Sequence, residues 1–349
     1  MNQLSHSDLQ GKTQTVRGII NPAVLGATLM HEHLLWDIRT PTEQGEPDQG
    51  LDIGLDNVWR INYGLRRTPS NLVFFDRDIA TAEVEKMRAA GGRTIVELTV
   101  GGLKPDPHGL VQIAIATDTH IVMGCGHYVD AYQAATNRNR AIDDFATEMV
   151  ADIHEGAWGT DVRAGLIGEI GCQAPWTDLE KRVMDGALIA QNETGASLNI
   201  HPGRDPDQPQ EVADFVTSHG GDPSRLIISH IERTIFDDQR LFRLADTGCV
   251  IEFDLFGQEQ SFYPRDLKVD LPNDAARLRW IRRLIDRGHL EQITISHDIC
   301  HRTRLTHFGG HGYGHIFENV LPLMRRRGFS EAEIQQITIG TPRRLLTFV

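Results

Sequence analysis

Six residues with metal-binding side chains stand where short apolar segments of the sequence end. They are His31, His33, Glu169, His201, His230 and Asp298. One residue separates His31 from His33, so in a β-strand both imidazoles point to the same face. Imidazole nitrogen and carboxylate oxygen are ligands of zinc and of similar divalent ions. Such a set suffices for two ions that share a carboxylate, a centre that generates hydroxide at neutral pH and polarises a substrate oxygen.

Eight short apolar strands, separated by amphipathic helical patterns, would position these residues. The predicted strands cover residues 27–34, 93–100, 120–125, 165–170, 197–201, 226–230, 249–255 and 292–297. Their nearly continuous apolar character indicates strands covered on both faces, as in a parallel sheet. The alternation predicts an α/β fold, a single (β/α)8 TIM barrel domain over residues 1–349, with an open doubly wound sheet as the main alternative. In a barrel the six residues would converge at one rim.

The stretch from residue 37 to residue 76 follows the first strand and has little periodicity. At about forty residues it is too long for an ordinary connection. It predicts an elaborated first βα loop that covers the catalytic end of the barrel. The helical patterns cover residues 79–90, 140–156, 179–193, 210–219, 239–247 and 275–287.

The composition excludes several classes of protein. With 40% hydrophobic and 24% charged residues among 349, the chain can form a large core and is not disordered. The 35 Lys and Arg against 48 Asp and Glu give a net charge of −13, which disfavours nucleic acid and membrane surfaces as partners. No apolar run approaches a membrane span, and the first residues lack a signal-peptide pattern. Four cysteines without a Cys-x-x-Cys pair fit a reducing compartment, so we expect a cytoplasmic protein acting on a small molecule.

Each candidate ligand taken alone has a plainer interpretation, because a single buried histidine is more often a hydrogen-bonded core residue. Five strands ending in such groups would, without a metal, need five separately satisfied polar sites. Other nearby residues are weaker candidates. We expect Cys172 and Cys300 to be small buried apolar residues, and His311 and His315 to lie on a glycine-rich loop. His297 alternates with Asp298 and should point toward the helices.

Longer motifs carry a family resemblance. They read Leu-Gly-Ala-Thr-Leu-Met-His-Glu-His at 25–33, Ile-Gly-Glu-Ile-Gly-Cys at 167–172, Ile-His-Pro-Gly-Arg at 200–204, Glu-Phe-Asp-Leu-Phe-Gly at 252–257 and Gly-Gly-His-Gly-Tyr-Gly-His at 309–315. Together with the order of the candidate ligands, they resemble the phosphotriesterase-related proteins, in the phosphotriesterase branch of the amidohydrolase superfamily. The resemblance extends over essentially the whole chain.

The resemblance implies a role for each candidate ligand. His31, His33 and Asp298 would bind the more buried of two divalent ions, and His201 and His230 the more exposed one. Glu169 would bridge them. Zinc is the expected metal, although manganese or cobalt could use the same ligands, and the resemblance also implies a homodimer. A hydroxide between the metals would attack the substrate, with Asp298 as the general base.

Glu169 departs from part of this family. The organophosphate- and lactone-degrading members have a carboxylated lysine at the bridging position, whereas the related-protein subgroup has glutamate. The glutamate therefore disfavours phosphotriester or lactone hydrolysis, which stays open as an alternative. The subgroup is associated with hydrolysis of short N-acyl taurines, so the resemblance implies a small anionic N-acyl amide, N-acetyltaurine-like or an N-acyl amino acid. A ligand-binding barrel without turnover is the third alternative.

Arginines just past the ligand-bearing strands suggest how an anionic substrate would be held. Arg204 and Arg233 each follow a candidate ligand by three residues, and a guanidinium binds carboxylate, sulfonate or phosphate bidentately. Arg302 and Arg304 are placed similarly after the last strand. Pairing with nearby acids such as Asp205, Asp237 and Asp238 is an equally good interpretation of any one of these arginines. Tyr128, just past the third strand, could contact the substrate or pack at the barrel end.

Overall fold

The computed structural model describes residues 4–44, 52–64 and 68–349. Eight parallel strands form one sheet in chain order. They are β1 (Thr28–Glu32), β2 (Thr94–Glu97), β3 (His120–Cys125), β4 (Leu166–Gly171), β5 (Leu198–His201), β6 (Leu226–Ile228), β7 (Val250–Phe253) and β8 (Ile293–Ile295). The last strand meets the first, where the amide of His31 donates to Ser296 Oγ at 3.0 Å and the amide of Asp298 donates to the carbonyl of His31 at 3.1 Å. The predicted (β/α)8 barrel is confirmed.

A helix follows each strand. The helices are α1 (Arg77–Ala89), α2 (Pro107–Thr117), α3 (Ile142–His154), α4 (Asp178–Thr194), α5 (Gln208–Ser218), α6 (Asp238–Ala245), α7 (Asp274–Asp286) and α8 (Leu321–Arg326). Side chains cap several of them; Asp76 accepts from the amide of Ile79, and Thr177 from that of Glu180. All six predicted helices are present, and the structure adds α2 and α8. Further helical segments at the chain end are Glu331–Gln335 and Thr341–Leu346.

Two apolar clusters stabilise the barrel. The larger lies between strands and helices, since alternate strand residues such as Ile95 and Ile121 belong to the same cluster as helix residues. The smaller cluster consists of the strand residues that point to the other face of the sheet, and it therefore fills the barrel interior. It contains Met30, Val96, Val122, Leu166, Ile227 and Val250. Leu345 and Leu346 join it and close the barrel at the amino ends of the strands. The interior at the other end is therefore left for polar side chains.

The first βα loop is elaborated, as the sequence predicts. Its described part holds short helices at Pro41–Gln44 and Val58–Tyr63 and a two-stranded antiparallel pair, Trp36–Asp37 with Val73–Phe74. Residues 45–51 and 65–67 of the predicted loop lie outside the described residues. Ile38, Ile61 and Leu72 from this loop line a cavity above the rim. No helix in the described part of the chain is long and apolar enough to cross a membrane.

Candidate metal centre and active site

Glu169, buried at the end of β4, is the centre of the candidate site. Its Oε2 lies 3.4 Å from Nε2 of His31, 2.9 Å from Nδ1 of His201 and 3.3 Å from Nε2 of His230. Its Oε1 lies 3.8 Å from Nε2 of His33. The four imidazoles predicted from the sequence thus surround one carboxylate, although they come from three separate segments of the chain.

Asp298 completes the group from the loop after β8. Its Oδ1 lies 3.3 Å from Nε2 of His33 and 4.0 Å from Nε2 of His31. Ligand atoms of His31, His33 and Asp298 all lie within 4.8 Å of one another, and so do those of His31, Glu169 and His230. These two overlapping sets hold five of the six predicted residues, and His201 joins them through its 2.9 Å contact with Glu169.

These residues fit a divalent metal. Within the described part of the chain, Nε2 of His31 is buried and forms no hydrogen bond, although Glu169 Oε2 lies 3.4 Å away, and an unbonded buried polar atom is costly without a ligand. Nδ1 of His201 and Nε2 of His230 face each other at only 2.8 Å. Imidazole nitrogens and carboxylate oxygens that converge in this way are the donor set that zinc, manganese and cobalt bind.

Buried carboxylates behind the site orient the histidines. Nδ1 of His31 lies 3.1 Å from Glu252 Oε2, and Nδ1 of His230 lies 2.8 Å from Asp254 Oδ1. Nδ1 of His33 lies 3.0 Å from the hydroxyl of Thr99. Because each of these contacts holds one ring nitrogen, it leaves Nε2 to face the centre. Sequence reasoning missed these roles, although Glu252 and Asp254 stand two residues apart at the end of a predicted strand.

Glu32 positions the loop that carries Asp298. Its carboxylate accepts from the hydroxyl of Ser296 at 2.8 Å and from the amides of His297 and Ile299 at 2.9 and 3.1 Å. Nδ1 of His297 contacts the same carboxylate at 2.7 Å, and its Nε2 accepts from the amide of Ile316. His297 thus points away from the centre, which is the direction that strand alternation predicts.

The backbone is irregular at the candidate ligands. His230 and Asp298 adopt φ values of +56° and +49°, a backbone region that residues other than glycine rarely occupy. The pairing of β1 with β2 shifts register between Leu29 and Glu32, and that of β4 with β5 shifts between Ile167 and Ile170. Such strain and bulges cluster at functional sites, where they direct side chains that a regular strand would point elsewhere.

Burial and charge act against each other on the imidazoles. Burial alone lowers the pKa of His31, but the carboxylates of Glu169 and Asp254 raise it well above the usual value. The same opposition raises the pKa of His230 to about 9, chiefly through Asp254, whereas burial lowers that of His201 to about 3. Burial raises the pKa of Asp298, but the neighbouring His33 and His230 bring it well below the usual range.

Metal binding near pH 8 is therefore expected to release protons. His230 binds a proton below about pH 9 in the metal-free protein, and a metal needs the neutral imidazole, so affinity should rise as the pH rises toward 9. Isothermal titration of zinc into metal-free protein in buffers of different ionisation enthalpy measures this release. Heats that do not depend on the buffer would contradict it.

Two of the predicted substrate-binding residues reach the cavity. Arg204 and Tyr128 both line it. The hydroxyl of Tyr128 lies 3.2 Å from Nε2 of His201, and within the described residues Arg204 forms no ion pair and its buried Nε has no partner. Among the residues that the structure describes, Arg204 pairs with none of the nearby acids, and Asp237 pairs with Arg240 instead.

Arg233 is placed differently, since it is not among the residues that line the cavity. Its guanidinium donates to the carbonyls of Pro202 and Gly203 at 2.9 and 3.2 Å and lies 3.4 Å from Nε2 of His201. It therefore holds the start of the loop that follows His201. Of the two later arginines, Arg304 lines the cavity and donates to the carbonyl of Asp298.

The loop after β7 adds residues that sequence reasoning missed. Tyr263 and Arg265 line the cavity, and the ring of Tyr263 has the guanidinium of Arg204 at 5.4 Å and that of Arg233 at 5.6 Å. No periodicity or spacing in this stretch indicates such a placement.

A (β/α)8 barrel whose rim gathers histidines and carboxylates below an open cavity has the architecture of a metal-dependent hydrolase. The sequence model of the Phosphotriesterase family matches residues 11–346. The chain belongs to the phosphotriesterase family, and it is a hydrolase.

Relatives match over nearly their full lengths. The chain is 39% identical to a phosphotriesterase-related protein of Nematostella vectensis over 97% of this chain and 99% of that protein. It is also 39% identical to an N-acetyltaurine hydrolase of Salmo salar, over 98% and 99%. The crystal structure of a resiniferatoxin-binding protein from Rhodobacter sphaeroides is 33% identical and superposes with a TM-score of 0.91, over 99% of this chain and 98% of that one.

Proposed function

We propose that this hydrolase cleaves the amide bond of a small anionic N-acyl compound with the help of two divalent ions, in the first place zinc. His31, His33 and Asp298 would hold one ion, His201 and His230 the other, and Glu169 both. The observation that carries this proposal is the position of Glu169, whose two oxygens face all four imidazoles within 3.8 Å. When bound, such ions supply a hydroxide nucleophile at neutral pH and polarise the substrate carbonyl.

Asp298 is the proposed general base. Its side chain is 16% exposed, at the floor of the cavity, and its lowered pKa keeps it ionised at neutral pH. The proton would pass to Asp298 as the carbonyl is attacked and then to the departing amine. Tyr128 is the proposed donor to the substrate, because burial and the charge of Glu169 raise the pKa of its phenol and keep it protonated.

The substrate class rests on relatives and on charge. Several relatives of this chain, among them those of Salmo salar and Bos taurus, are named N-acetyltaurine hydrolases, and N-acetyltaurine is an amide that bears a sulfonate. Within the described residues, Arg204 and Arg304 line the cavity without a carboxylate partner, which suits a substrate anion. Arg233 would act indirectly by holding the His201 loop. A homodimer and a cytoplasmic location also stay predictions.

Two other functions remain as alternatives. Phosphotriester or lactone hydrolysis could use the same centre, but the glutamate at position 169 favours the amide. Ligand binding without turnover is suggested by the name of the Rhodobacter sphaeroides neighbour, a resiniferatoxin-binding protein. Asp298, placed next to the histidines as a base, favours catalysis.

A side-by-side rate comparison tests the proposal. Zinc-loaded protein is assayed with N-acetyltaurine, an N-acetyl amino acid, a lactone and an aryl phosphotriester. We expect kcat/KM to be highest for the anionic amides. A higher kcat/KM for the phosphotriester or lactone would overturn the amide assignment, and no turnover of any of the four would support the ligand-binding alternative.

A further inference from the structure

The cavity above the metal centre has an apolar end. Ile38, Leu72 and Leu103 line it, and their exposed fractions are 6%, 4% and 1%. Backbone hydrogen bonds join them into one wall: the amide of Ile38 donates to the carbonyl of Leu72 at 2.9 Å, and the amide of Asp37 to that of Leu103 at 3.0 Å. A wall tied together in this way is preformed for an apolar ligand.

The cavity also has a cationic end. Arg204, Arg265 and Arg304 line it, and within the described residues none of the three forms an ion pair with a carboxylate. Arginines on the outer surface of the same acidic protein do form such pairs, for example Arg325 with Glu331 at 2.6 Å. Arg204 and Arg265 also line an adjoining cavity, so an anion bound between them would still contact water.

The barrel places these two ends on different sides of the rim. The apolar wall comes from the loops after β1 and β2, whereas Arg204 comes from the loop after β5, which lies across an eight-stranded barrel from β1. Arg265 comes from the loop after β7. Glu169 and the histidines lie between them on the floor, where an amide would be cleaved.

We propose that the substrate is amphipathic, with its anionic group between Arg204 and Arg265 and an acyl chain longer than acetyl on the wall formed by Ile38, Leu72 and Leu103. This rests on the proposed amide hydrolysis and adds the length of the acyl group. The cavity volume of about 570 Å³ supports it, because cavities of that size accommodate drug-sized ligands, and a two-carbon acyl group would leave most of the wall uncovered.

A chain-length series tests the acyl end. Dissociation constants of N-acyl taurines with two, four and six acyl carbons are measured by calorimetry on zinc-loaded Asp298→Asn, and kcat/KM on zinc-loaded wild type. Each methylene placed on the wall should strengthen binding about fourfold. Affinity that is equal for all three, or weaker for the longer chains, would overturn the proposal.

Variants of the wall sharpen this test. Leu103→Asn and Leu72→Asn should each reduce the gain in affinity per methylene, measured relative to the N-acetyltaurine affinity of the same variant. Circular dichroism checks that the variants fold, and if neither does, the wild-type series still decides. An undiminished gain per methylene in a folded variant would count against the wall.

Variants of the cationic end test the anion. Arg265→Met should weaken binding of every N-acyl taurine by about ten- to a hundredfold, and it should not change binding of the neutral N-acyl ethanolamine of equal length. Arg325→Met is the matched control, since Arg325 pairs with Glu331 on the outer surface, and it should change neither. An equal loss for charged and neutral ligands would contradict an anion between Arg204 and Arg265.

The two proposals fail in different ways. If affinity rises with acyl length but no amide is cleaved, the amphipathic cavity stands and the amide hydrolysis fails. If N-acetyltaurine is cleaved and longer chains bind no better, the hydrolysis stands and the acyl wall fails.

Discussion

Substitution Asp298→Asn is expected to lower kcat/KM for the anionic amide by 10²- to 10⁴-fold, the usual contribution of a general base. The amide keeps the size of the side chain and one oxygen that could still face the metal, but it cannot take up a proton at pH 7. Turnover should therefore fall much further than metal content. Steady-state kinetics at saturating zinc and metal analysis of the same sample measure the two quantities together.

Asp246→Asn provides the control for this substitution. Asp246 lies on the outer surface with its side chain 59% exposed, 3.4 Å from His289, so the same chemical change there should leave kinetics and metal content unaltered. A rate near that of the wild type in zinc-loaded Asp298→Asn would eliminate Asp298 as the base. If the activity of Asp298→Asn falls only in proportion to its zinc content, Asp298 acts as a metal ligand and not as the base.

The barrel could be predicted because its strands have a strong pattern. Buried parallel strands are continuously apolar, so each predicted strand overlaps an observed one, with ends displaced by a few residues. Two helices escaped this reasoning. Pro107–Thr117 has few charged side chains to mark an outer face, and Leu321–Arg326 is short and follows a π-helical turn at Ile316–Val320. Neither presents the amphipathic period on which helix prediction depends.

The candidate ligands could be predicted for a related reason. Residues at the carboxyl ends of parallel strands must meet at one rim of the barrel. The types of the six residues, together with their positions at strand ends, therefore predicted the cluster. Side chains on loops follow no such rule. Arg204 and Arg233 have the same spacing from a histidine, yet one lines the cavity and the other binds backbone carbonyls. Arg265 lies eleven residues beyond Asp254 on a loop whose path no period describes.

The buried carboxylates of Glu169 and Glu252 at the barrel end contact different groups, so we expect their substitutions to affect metal binding and activity to different degrees. Glu169 faces four imidazole nitrogens directly, whereas Glu252 contacts His31 from behind and accepts from the side chains of Asn199 and Ser229 at 2.9 and 2.8 Å. Loss of a carboxylate behind a ligand typically costs 10- to 100-fold in metal affinity or activity. Loss of Glu169, the proposed ligand of both metals, should cost more.

Glu169→Gln is therefore expected to reduce the metal content from the proposed two ions per chain to one or none and to lower kcat/KM by more than a hundredfold. Glutamine offers a single weak oxygen ligand, and its NH₂ group would face Nδ1 of His201 or Nε2 of His230. Glu252→Gln is the matched control, the same change at a carboxylate behind the ligands, with a smaller expected loss. Metal analysis after dialysis, kinetics and thermal unfolding are measured on both variants. If Glu169→Gln kept two ions and lost no more activity than Glu252→Gln, Glu169 would not be the shared ligand, and the contacts it makes with His31 and His230 would serve only to hold the metal-free site together.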